Sequence, residues 1–157
     1  MLRYSLILVG FLPLVLGYSN GGPGSACGNL LPQHHGMTVQ RGTSLFSITL
    51  PGNTVQRGSE TQLFLQGAGG ETFKGFFVQG FEGTDGSSGV FQPSRNVQPR
   101  SCTGTENAAT HTSPSEKSKV TLLWTAPNYA TTVEFKSTVA VDKTTIHTNK
   151  PLSVNVV

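Results

Sequence analysis

Residues 73–81 read Phe73-Lys74-Gly75-Phe76-Phe77-Val78-Gln79-Gly80-Phe81, and four of the chain's nine phenylalanines fall within them. With the two-residue period of an extended chain, Phe73, Gly75, Phe77, Gln79 and Phe81 share one face. Lys74, Phe76, Val78 and Gly80 share the other. Aromatic residues on both faces are what a central strand covered on each side requires, whereas a strand with one wet face alternates apolar with polar. Gly75 and Gly80 have no side chain to pack and mark places where another group comes close to the backbone. The stretch therefore predicts a core strand, with Gly75 admitting a neighbouring backbone or the indole of Trp124.

The same period recurs on either side. Phe46, Ile48 and Leu50 alternate with Ser47 and Thr49, predicting a half-buried strand over 45–50 that Pro51-Gly52-Asn53 closes. Residues 61–66 read as a second strand, 82–88 as an exposed loop, and Gly89-Val90-Phe91 as a short return. Val120, Leu122 and Trp124 share one face over 119–124. Val133, Phe135, Val139 and Val141 do so over 132–141. Residues 144–147 and 152–156, with Pro151 between them, are expected as edge strands. Residues 92–118 contain Pro93, Pro99 and Pro114 without alternation, and read as one long loop pinned by Cys102. Thr38-Val39-Gln40-Arg41-Gly42 recurs as Thr54-Val55-Gln56-Arg57-Gly58; two copies are too few for a solenoid and predict two similar strand-to-turn corners. No window carries an apolar helical stripe, so the fold class is all-β, an antiparallel β-sandwich. Trp124 follows both cysteines instead of lying between them, which sets the chain apart from immunoglobulin domains.

Position and composition bear on compartment. Arg3, an apolar run and then Gly17 predict a signal peptide over 1–17, cut before Tyr18. The run is shorter than the roughly 20 apolar residues that span a bilayer, and no later stretch is apolar enough. Residues 18–157 then make one secreted domain of 157 − 17 = 140 residues, with no membrane span. Only 12% of residues are charged, and the formal charge of +3 is too mild to indicate nucleic acid. Cys27 and Cys102, an even pair in an oxidising compartment, are expected to form a disulfide.

Four histidines and eight carboxylates are a thin stock for a catalytic site. His34 and His35 are adjacent and would point opposite ways in an extended segment, and His111 is expected to bond to local backbone near Cys102. No nucleophile elbow, phosphate-cradling loop or zinc motif is present. Neither an enzyme nor a metal or cofactor site is expected. The candidate ligand residues are Arg95, Arg100, Lys117 and Lys119, which could hold the phosphates or carboxylates of a polyanion.

The landmarks together resemble a known family. A Gly-rich arm leads to Ala26-Cys27 and Pro32-x-His34. Phe73-x-Gly75-Phe76 with Gln79 follows, then Gly89-x-Phe91, and Cys102 ahead of Thr110-His111. Trp124-Thr125-Ala126-Pro127 and Val133-x-Phe135-x-x-Thr138 complete the order. This is similar to a reeler domain, over 18 to about 141; Phe81-Glu82 and the tail after Asp142 depart from the pattern. The resemblance implies an immunoglobulin-like β-sandwich with a Cys27–Cys102 bridge and no catalytic residues. It also implies a secreted innate-immunity protein, like the stand-alone insect defence proteins, that binds microbial surface polyanions or glycans such as lipopolysaccharide and engages haemocyte surfaces. The alternative is an extracellular-matrix or adhesive module that binds other proteins.

Overall fold

A computed structural model describes residues 20–32, 36–41, 44–83 and 89–157. The expected signal peptide, His34, His35, the end of the first repeat at Gly42 and most of the 82–88 loop lie outside the described residues. Two sheets face each other across one core. The smaller runs β2 (Phe46–Thr49), β4 (Glu60–Gly67), β9 (Lys119–Thr125) and β6 (Val90–Gln92). The larger runs β1 (Thr38–Gln40), β11 (Thr145–Thr148), β10 (Thr131–Ala140), β5 (Gly75–Glu82), β8 (Ala108–His111) and β7 (Val97–Arg100). β12 (Leu152–Val156) continues the row of β11 along β10, and β3 (Thr54–Val55) pairs outside β12.

The alternating segments form strands because each has one face to bury. Phe46 and Ile48 point inward from β2, Leu63 and Leu65 from β4, and Val120, Leu122 and Trp124 from β9. Val133, Phe135 and Val139 meet them from β10, where the edge of Phe135 sits against Trp124 with ring centroids 4.9 Å apart. β5 differs in being buried along six consecutive residues, as its two-sided composition requires. Phe76 and Val78 face the core between the sheets. Phe77 faces the other way and packs with Ala26, Leu30 and Ala108, so its cover is the N-terminal arm and not a second sheet.

Four sequence expectations need correction. Phe73 does not share a face with Phe77, because β5 begins at Gly75; Phe73 exchanges backbone bonds with Lys117 and turns into the main core. Residues 92–118 are not one loop, since they contain β7 and β8. β7 tolerates Pro99 because it is the outer strand of its sheet, and β8 is buried on every residue, which erases alternation. The strands at 145–148 and 152–156 are not edges: β1 pairs with β11 and β3 with β12, both in parallel, so the sandwich is antiparallel except there. Both copies of the repeat thus supply a short strand to the same border of the sheet. Finally, the indole of Trp124 lies over Gly89, not Gly75. A Cβ on Gly89 would come within 2.3 Å of its Nε1, whereas one on Gly75 would meet the His111 ring at 3.0 Å.

Candidate functional site

Arg95 and Asn96 occupy a tight turn that carries the chain from one sheet to the other. Ser94 and Val97 exchange backbone hydrogen bonds across it, and Asn96 adopts φ +64°, a conformation its short polar side chain tolerates. The turn brings exposed Arg95 beside the segment leading into β9, where Arg95, Lys117 and Lys119 line a shallow cleft of about 550 Å³ with Glu116. Three of the four candidate residues therefore converge. Arg100 does not; its Nε donates to Gly22 O at 3.0 Å and helps seat the N-terminal arm.

The converging cations are unequal. Lys117 is only 5% exposed, and its ammonium donates to three backbone carbonyls, Lys74 O at 3.0 Å, Ser113 O at 2.8 Å and Ser115 O at 2.5 Å. Burial pushes its pKa down from the ordinary lysine value. All three of its donors are spent on holding this loop to the start of β5, so in this arrangement Lys117 presents no free donor to the cleft. Lys119 is exposed, and its Nζ stands 4.1 Å above the Phe64 ring. Lys117→Met is expected to cost about 2–3 kcal/mol, because carbonyls bonded to a charged donor lose their partner. Lys119→Ala should cost only about 0.5–1 kcal/mol. Urea unfolding midpoints of the two variants check the order.

Cys27 and Cys102 are joined, with Cα atoms 5.4 Å apart. The bridge ties the arm to the loop between β7 and β8, on the outer face of the larger sheet. Around it the arm is held by polar side chains of the strands beneath. Gly28 N donates to Gln79 Oε1 at 2.9 Å, and Gly22 N to the Thr110 hydroxyl at 2.8 Å. The Thr138 hydroxyl donates to Leu30 O at 2.6 Å. Gln79, Thr110 and Thr138 are all buried. Sequence reading placed Gln79 on this face but gave Thr110 and Thr138 no role; polar residues inside otherwise apolar strands were the available signal. His111 Nδ1 accepts from Phe76 N at 3.2 Å, which ties its ring to the start of β5. Among the described residues no three His, Cys, Asp or Glu side chains converge as a metal set.

A sandwich with a disulfide-pinned arm outside one sheet has a counterpart among known families. The model of the Reeler domain matches residues 25–156, extending through β11 and β12 beyond the sequence resemblance. The chain belongs to the Reeler domain family. As a Reeler domain it superposes on the solved human F-spondin reeler domain with a TM-score of 0.68, at 18% identity, covering 83% of this chain and 100% of that one. It is 34% identical over 142 residues to Defense protein l(2)34Fc of Drosophila melanogaster, covering 85% of this chain and 86% of the relative. A protein of Danio rerio named for ferric-chelate reductase 1 is also 34% identical, over 128 residues, but the Reeler chain spans only 22% of that protein's length. The match to the insect defence protein thus covers most of both chains, whereas the match to the Danio rerio protein is limited to one part of it. Among the described residues no helix is long and apolar enough to cross a membrane.

Proposed function

We propose that this Reeler protein is a secreted innate-immunity protein that binds microbial surface components, lipopolysaccharide among them, and promotes an antibacterial response without catalysis. The observation that carries this reading is the near full-length match to a protein named as a defence protein, with 86% of the relative covered. The cleft at the β6–β7 turn supports it chemically. Exposed Arg95 and Lys119 stand where phosphate groups could bind them jointly, and arginine forks onto such anions in two-pronged fashion.

The test is a binding assay of the secreted protein with whole bacteria, lipopolysaccharide, lipoteichoic acid and β-glucan. Saturable binding to lipopolysaccharide is expected, weakening with added salt because the charges are exposed. The Arg95→Glu/Lys119→Glu double variant should lose about tenfold or more in affinity, since reversal replaces attraction with repulsion at two sites. No binding to any microbial probe, together with capture by a host matrix extract, would instead identify a matrix or adhesive module.

A further inference from the structure

On the opposite side of the larger sheet from the smaller one, the arm and the strands beneath it do not meet everywhere. Toward Cys27 they are in contact, with Leu30 and Ala26 on Phe77 and Ala108. One step along the sheet the facing pair is Gly75 on β5 and Ala140 on β10, and neither raises a side chain large enough to reach the arm. The result is a pocket of about 730 Å³ open on one side, within the roughly 300–1,000 Å³ typical of small-molecule sites. Its walls are mostly apolar, with Pro23, Leu30 and Pro32 from the arm and Phe77 and Ile146 from the sheet, and the His111 ring lies beside Gly75 at the floor. The Thr138 hydroxyl within it is already donated to Leu30 O.

The mouth is charged. Lys74, just before β5, and Lys143, in the turn between β10 and β11, both line it and are exposed. Asp142 lies beside them, but its Oδ1 accepts from Thr144 N at 2.7 Å, Thr144 Oγ1 at 2.8 Å and Thr145 N at 2.7 Å. That carboxylate is committed to the turn, and the two ammonium groups set the sign of the opening. We propose that this pocket binds a single acyl chain bearing an anionic headgroup, with the chain against the Gly75–Ala140 floor and the head between Lys74 and Lys143. An apolar trough with cations at its rim complements such an amphiphile; a sugar would find too few polar partners along these walls. The pocket shares no lining residue with the Arg95–Lys119 cleft, so the inference stands apart from the proposed function.

The experiment is calorimetric titration of the intact, oxidised protein with monomeric octanoate, decanoate and dodecanoate, beside dodecanol and phosphatidylglycerol vesicles. One-to-one binding is expected, tightening about fourfold per methylene until the pocket is filled. Ala140→Phe, which fills the floor from a strand position, should weaken dodecanoate about tenfold or more, as overpacking does. Lys74→Glu/Lys143→Glu should weaken dodecanoate about tenfold while leaving dodecanol within about twofold. Absence of saturable fatty-acid binding, or binding indifferent to Ala140→Phe in a variant with unchanged melting temperature, overturns the proposal. Equal loss of acid and alcohol on charge reversal overturns the assignment of the headgroup, and this readout does not depend on Ala140→Phe folding. Adsorption to anionic vesicles without binding of monomeric chains would mark a surface patch and overturn it too.

Discussion

Gly89→Ala is expected to destabilise the protein by roughly 2–5 kcal/mol, a large share of the 5–15 kcal/mol that holds a typical domain together. Two effects combine at this position. Gly89 has φ +74°, where a side chain is strained by about 1–2 kcal/mol. Its added Cβ would also lie 2.3 Å from Nε1 of Trp124 and 2.6 Å from the backbone oxygen of Thr125. Neither neighbour can step aside. Thr125 O belongs to the β6–β9 ladder, and Trp124 is fully buried against Phe135 and cannot rotate without emptying the centre of the core. Forcing a methyl into such packing adds about 1–3 kcal/mol. Gly52→Ala separates the contributions, because Gly52 has φ +82° but nothing within 4 Å of its Cβ position. It should cost only the backbone term, about 1–2 kcal/mol. Urea unfolding midpoints of the two variants give the comparison; equal losses would mean that the Trp124 contact contributes nothing.

The contrast between Gly89 and Gly75 bears on what a sequence can reveal. Gly75 is visible in sequence as a close-approach position and Gly89 only as part of a short return, and which residue does the approaching depends on sheet pairing. β6 pairs with β9 in a register that sets Phe91 opposite Trp124, and this brings the indole over Gly89. No local pattern encodes that. Strands with one wet face were legible for the opposite reason: Phe46, Ile48, Val120, Leu122, Val133 and Phe135 each belong to a local alternation that needs no knowledge of a partner. β8 was illegible because Ala108, Ala109, Thr110 and His111 are all buried, Ala109 against the core and Ala108 and Thr110 beneath the arm. The cleft was half legible. Basic residues clustered in sequence did cluster in space at Arg95 and Lys119, but the carbonyls of Lys74, Ser113 and Ser115 that capture Lys117 follow from how the chain turns, and the turn is not written in the charges.

The second large effect concerns the arm. Replacing both Cys27 and Cys102 with serine should remove about 4 kcal/mol, the loop-closure entropy of a 75-residue separation in the chain-entropy account. That loss falls on the unfolded chain and would lower the urea midpoint of the whole domain. A second loss is local. Residues 22–30 are joined to the sheet by a handful of contacts: Gly22 N to Thr110, Arg100 to Gly22 O, Gly28 N to Gln79, Thr138 to Leu30 O, and the packing of Ala26 and Leu30 on Phe77. Each hydrogen bond contributes about 0.5–1.5 kcal/mol net, and ordering each arm residue costs about 1–2 kcal/mol of backbone entropy. Without the bridge the entropy of nine ordered residues outweighs these few bonds, so the arm should open independently of the sandwich. Hydrogen exchange can read this directly: in the double-serine variant the amides of Gly28 and Leu30 should lose far more protection than those of Leu122 and Trp124. Uniform loss across arm and core would show that the arm is an integral part of one cooperative unit, held by the sheet and not by the bridge. Separate loss would also remove the wall formed by Pro23 and Leu30, and fatty-acid binding should disappear on reduction while the β-sandwich remains folded.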